Sequence, residues 1–75
     1  MDSDNLVRMA NRIGEFFAAM PERNEAIDGV ANHIKRFWEP RMRRQILAHL
    51  DASGDGLSEL VRDALERRRA LLRPD

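Results

Sequence analysis

Few residues of this chain are of the types that do chemistry, and their spacing rules out most of the chemistry they could do. Asp51, Ser53, Asp55 and Gly56 stand at the first, third, fifth and sixth positions of a calcium-loop pattern. The pattern then breaks. Its eighth position is Ser58 where an apolar residue belongs, and its twelfth is Arg62, a cation where a bidentate carboxylate must close the coordination shell. The two histidines, His33 and His49, lack metal-helix spacing and the chain has no cysteine, so a zinc site would have to be improvised from acids. A phosphate loop, a dinucleotide fingerprint and a nucleophile elbow are all missing. The residues therefore argue for no catalytic, cofactor-binding or metal-binding role, and for no cofactor held by this chain.

What remains is recognition chemistry, concentrated between His33 and Arg44. That stretch holds the single Trp, one of the two His and five of the 13 cations. Large aromatics and Arg are enriched where partners bind, because each buries much area and still offers a directed polar contact. Trp38 is the candidate anchor, Arg36, Arg41 and Arg44 are candidates for charged contacts, and His33, Pro40 and Met42 would shape the patch. Phe37 and Met42 are also expected to contribute to the core. Trp38 can be core or interface on the sequence alone, since two neighbouring helical residues lie about 100° apart and cannot both face the centre.

The charges come in blocks. The formal net charge is zero, yet residues 1–32, 33–50, 51–66 and 67–75 carry −3, +4, −4 and +3. Such blocks either pair with one another inside the fold or leave a basic ridge for an acidic partner. Twelve of the 13 cations are Arg, which favours planar, bidentate carboxylate contacts. Lys35, Arg36, Arg41, Arg43 and Arg44 beside Phe37 and Trp38 also have the makings of a nucleic-acid surface. Against that, the chain has no excess of cations to displace counterions, and the adjacent segment is acidic.

These residues must be positioned by helices. Apolar residues at steps of three and four, with breakers between them, predict an all-α fold, a small four-helix domain with helices near 4–20, 24–38, 40–52 and 58–72. In the first, Leu6, Met9 or Ala10, Ile13, Phe16 or Phe17 and Met20 form the stripe, an N-terminal Asp or Ser caps it, and Pro21 stops it. Ile27, Val30 or Ala31, Ile34 and Phe37 or Trp38 line the second, with Asn24 as its cap. Pro40 forces the corner after it, because a proline pushes the preceding residue out of the α region yet fits the first turn of a new helix. The third helix turns Met42, Ile46 or Leu47 and Leu50 inward and Arg41, Arg43 and Arg44 outward, and Gly54 ends it in a left-handed conformation. Leu60, Val61, Ala64, Leu65, Leu71 and Leu72 make the fourth stripe behind a Ser58 cap. Gly14 and Gly29, inside helices, suggest close approach of a neighbour.

At 75 residues the chain is expected to be one domain, 1–75, with a core that is marginal without a partner. Absence of cysteine suits a reducing compartment, no apolar run approaches the ~18 residues of a membrane span, and Met1-Asp2-Ser3-Asp4 is acidic where a signal peptide is basic. The expectation is a cytoplasmic protein.

Asn5 to Asn11, then Ile13 and Phe16-Phe17, and above all the run from Ala31 to Arg43 with His33, Phe37, Trp38, Pro40 and Met42 in fixed spacing, resemble a known family. The chain is similar, from about residue 3 to about residue 66 and through Gly56-Leu57-Ser58, to the delta subunit of soluble NAD-dependent formate dehydrogenase. The resemblance implies a small non-catalytic accessory subunit of a bacterial molybdenum or tungsten enzyme that oxidises formate and reduces NAD. It implies that the cofactors belong to partners: the alpha subunit carries the pterin-bound metal centre and iron–sulfur clusters, and the beta and gamma subunits carry flavin, further clusters and the NAD site. It further implies binding to the alpha subunit in support of assembly, cofactor insertion or stability. A self-associating helical module, a homodimer with a regulatory or nucleic-acid role, is the alternative that the residues themselves leave open.

Overall fold

The computed structural model describes residues 2–74 and is helical throughout its regular elements. Helix α1 spans Ser3–Phe17, α2 Arg23–Phe37, α3 Pro40–Ala52, α4 Glu59–Arg67 and α5 Arg69–Leu72. Local chemistry accounts for most of the ends. Asp2 caps α1, its carboxylate accepting from the Asn5 amide at 2.8 Å, which satisfies one of the amides that a helix start leaves without a partner. The helix stops at Phe17, short of the expected residue 20, because the approach to Pro21 cannot stay helical; the Met20 amide instead closes a turn onto the Phe17 carbonyl at 3.0 Å. Glu22, not Asn24, caps α2, its carboxylate accepting from the Asn24 amide at 3.1 Å. Both Trp38 and Glu39 are extended ahead of Pro40, so α2 ends and α3 begins at the proline corner as the sequence predicts.

Gly54 adopts φ +69° and donates to the His49 carbonyl at 2.9 Å, ending α3 in the left-handed conformation expected of it. Ser58 caps α4 through its hydroxyl, which accepts from the Val61 amide at 3.3 Å. The fourth helix differs from expectation: the predicted 58–72 run breaks at Arg68, where φ −113° and ψ 27° interrupt the helix. The break turns the last segment back against α2, α3 and α4, so that Leu72 is fully buried. Two ion pairs hold it there. Arg68 Nε meets Asp28 Oδ1 at 2.7 Å, and Arg69 straddles both oxygens of Asp51 at 2.6 and 3.1 Å.

The core gathers Leu6 and Ala10 of α1, Ile27, Val30, Ala31 and Ile34 of α2, Ile46, Leu47 and Leu50 of α3, and Leu60, Val61, Ala64 and Leu65 of α4, joined by Trp38, Leu57 and Leu72. Helix α2 packs against α1, α4 and α5, while α3 closes the bundle from the far side against α1, α4 and α5. Gly14 lets α4 approach, since a Cβ there would stand 2.7 Å from Val61 Cγ2. Asn11 pins the loop between α3 and α4 to α1: its Nδ2 donates to the Gly56 carbonyl at 2.8 Å and its Oδ1 accepts from the Ser58 amide at 3.0 Å.

Candidate partner-docking surface

The proline corner distributes its side chains differently from the expectation. Trp38, the candidate anchor, is only 6% exposed and belongs to the core, whereas Phe37, expected in the core, is 65% exposed. The helix geometry explains the exchange. Trp38 falls four residues after Ile34 and eleven after Ile27, both on the buried stripe, while Phe37 falls four after His33 and eight after Gly29, on the flank of that stripe. An indole buried in this chain has little surface left to anchor a partner. Met42 packs, partly buried, against the core as expected, and His33 is half-buried. Arg36, Pro40, Arg41 and Arg44 are exposed.

Arg43 is the second reversal. Expected on the outer side of α3, it is 7% exposed. It stands three, four and seven residues before Ile46, Leu47 and Leu50, which places its stem on the inner stripe. Its guanidinium reaches across to α5, where NH1 donates to the Leu72 carbonyl at 3.2 Å; its buried Nε has no hydrogen-bond partner among the described residues. The signal was in the sequence, since an arginine on an apolar stripe can bury its methylenes and carry its charge to a helix end.

Phe37 completes an aromatic ridge that runs across α1 and α2. Phe16 packs edge-on to Phe17 at 5.0 Å between centroids, Phe17 approaches His33 at 6.4 Å, and His33 lies 4.7 Å from Phe37. Gly29 makes the ridge possible, because a Cβ at that position would run into the Phe17 ring. The Arg36 guanidinium lies 5.7 Å from the Phe37 centroid, within cation–π range. Phe16 is 75% exposed and Met20 39%, so the expected α1 stripe reaches the core through Leu6 and Ala10, with Met9, Ile13 and Phe17 partly buried against it, and turns to solvent at Phe16 and Met20; Val7 and Gly14, outside that stripe, are buried as well. Only one cue separated Phe16 from core residues: Phe17 beside it takes the place over Gly29.

The charge blocks pair selectively. The acids that enter ion pairs, Asp51, Glu59 and Asp63 of the 51–66 block and Asp28 of the first segment, are taken up by cations outside 33–50: Arg23 with Asp63 at 2.6 Å and Glu59 at 3.6 Å, Arg68 with Asp28, and Arg69 with Asp51. Hydrogen bonding from Arg69 holds the Asp51 carboxyl below its ordinary 3.8, and the same bond raises Arg69. Among the described residues Lys35, Arg36, Arg41, Arg43 and Arg44 enter no ion pair. The +4 block therefore keeps its charge, four of its five cations exposed.

The loop that partly matches a calcium pattern is organised by its own side chains. Arg62 NH2 donates to the Gly54 carbonyl at 3.0 Å, so the residue at the closing-ligand position brings a cation into the loop. Ser53 Oγ accepts from the Asp55 amide at 3.1 Å, and His49 Nε2 meets the Asp55 carbonyl at 2.9 Å. No group of three or more His, Asp or Glu able to hold a metal ion, and no cavity, occurs among the described residues.

The fold and the site thus define a small all-helical domain that offers a surface, with an exposed aromatic ridge and a basic corner, in place of a pocket. The chain belongs to the NADH-dependent formate dehydrogenase delta subunit family, FdsD, which it matches over residues 5–65. It is accordingly related to a subunit of an oxidoreductase complex, and no helix among its described residues is long and apolar enough to cross a membrane. No curated protein and no solved structure matches the chain.

Proposed function

We propose that this chain is a non-catalytic accessory subunit of an NAD-dependent formate dehydrogenase, and that it binds the large alpha subunit, which carries the metal cofactor, to support its assembly, cofactor insertion or stability. The family match over residues 5–65 carries the reading. Two features support it: the candidate site is an exposed surface of aromatic and basic side chains, and the core is that of a 75-residue bundle, of a size at which partner binding adds materially to stability. The protein works in the cytoplasm on this reading, beside the beta and gamma subunits, and holds no cofactor itself.

The test is co-expression of a tagged copy with the alpha, beta and gamma subunits, purification through the tag, and assay of the alpha subunit's metal content with the chain present and omitted. Retention of alpha at fixed stoichiometry supports the reading. Metal-poor alpha on omission assigns the chain to cofactor insertion; metal-replete but scarce or aggregated alpha assigns it to stabilisation. If the chain purifies without alpha, the accessory-subunit reading fails, and a homodimer in that experiment would favour a self-associating helical module.

A further inference from the structure

The geometry points to the ridge Phe16–Phe17–His33–Phe37, with Arg36 against Phe37 and the exposed Arg41 and Arg44 following on α3, as the docking surface of this chain, and to an occupant that is an apolar segment of the alpha subunit flanked by carboxylates. This rests on the accessory-subunit reading and says which face and which chemistry serve it.

The apolar half follows from exposure. Phe16 and Phe37 are 75% and 65% exposed, and Met20 extends the same end of α1. Three ring contacts of 5.0, 6.4 and 4.7 Å join Phe16 to Phe37 as one surface and not as scattered apolar residues. Aromatic surface of this kind is costly to leave in water and loses little side-chain freedom on binding.

The acidic half follows from charge complementarity. The four acids that form ion pairs, Asp28, Asp51, Glu59 and Asp63, are drawn to Arg23, Arg68 and Arg69. The exposed cations of the corner, Lys35, Arg36, Arg41 and Arg44, have no such partner among the described residues. Arg36 touches Phe37 itself, and Arg41 lies one short corner beyond it on α3. An apolar segment seated on the ridge thus brings its flank to the Arg36 guanidinium, which favours paired carboxylate oxygens. A second copy docking corner to corner would set like charge against like. A second copy docking head to tail would offer exposed acids outside the corner, such as Glu15 and Glu25, and this is the rival occupant that the experiment separates.

The experiment uses the tagged chain co-expressed with the formate dehydrogenase subunits. Wild type is compared with Phe16→Ala/Phe37→Ala, with Arg36→Glu/Arg41→Glu/Arg44→Glu, and with Glu66→Lys as a surface control on α4. Binding of the alpha subunit is measured at low and high salt, sedimentation reports self-association, and circular dichroism verifies folding. The expected result is about thirtyfold or greater weakening for the double alanine variant, the size of a hot-spot loss. The triple reversal should slow association and invert its salt dependence, so that binding no longer weakens at high salt, and Glu66→Lys should bind as wild type. If both ridge variants, folded, hold alpha as wild type does, the surface is overturned and the accessory-subunit reading survives. If wild type never binds alpha, both fall, and sedimentation as a dimer that Phe16→Ala/Phe37→Ala splits would give the ridge to a second copy.

Discussion

Phe37 and Trp38 are adjacent in sequence and opposite in consequence. Trp38 is buried among side chains of the core, so Trp38→Ala removes a large packed group and should cost about 3–5 kcal/mol in chemical denaturation. Phe37→Ala, at a site 65% exposed, should change stability by no more than about 0.5 kcal/mol while weakening partner binding. The opposite order of the two stabilities would reverse their assignment. Arg43 makes a related case. Its stem packs like an apolar side chain and its Nε is buried without a partner, so Arg43→Met, which keeps the stem and removes the charge, should be less destabilising than Arg43→Ala. Equal denaturation midpoints for the two variants would mean that the stem contributes little.

At the level of elements, the α1–α2 pair depends on a missing side chain. Alanine normally favours a helix over glycine by about 1 kcal/mol. At Gly29 the added methyl would meet the Phe17 ring, so Gly29→Ala should destabilise the protein by about 1–3 kcal/mol, with Phe17 displaced from the ridge. Thermal melting together with partner binding checks this: a stabilised variant with unchanged binding would show that the ring moves aside freely. Helix α4 and the short α5 form the other instructive pair. The break at Arg68 is not a proline or glycine effect; it accompanies burial of Leu72 and the pairing of Arg68 and Arg69 with α2 and α3.

For the whole molecule, the distribution of charge matters more than its sum. Asp51 and Arg69 tie the end of α3 to α5. A carboxyl whose folded pKa lies below its unfolded value binds fewer protons when folded, so its contribution is full above the unfolded value and is lost as pH falls through the folded one. For Asp51 that window lies below the ordinary 3.8. Asp51→Asn should therefore lower stability at neutral pH, and the gap between variant and wild type should close on acidification below about pH 4; a gap constant with pH would mean that the pairing with Arg69 does not contribute through ionisation. Because Asp51 is exposed and Arg69 only half-buried, the effect is expected to be small and weakened by salt.

Periodicity, breakers and caps determined a great deal without any coordinates: an all-helical chain, a corner at Pro40, an end to α3 at Gly54 and the inner stripes of α2 and α4. Those features are local, since backbone sterics and one-turn side-chain spacing act over a few residues. Tertiary structure decided which of two adjacent aromatics faces inward, that Arg43 turns in, that the last helix breaks to bury Leu72, and which charge blocks find each other. Each of these is a competition between residues distant in the chain for the same volume or the same counterion. The +4 block loses that competition, because Asp28 and Asp51, on either side of it in sequence, are taken by Arg68 and Arg69 once the helices pack, and its charge is left facing outward.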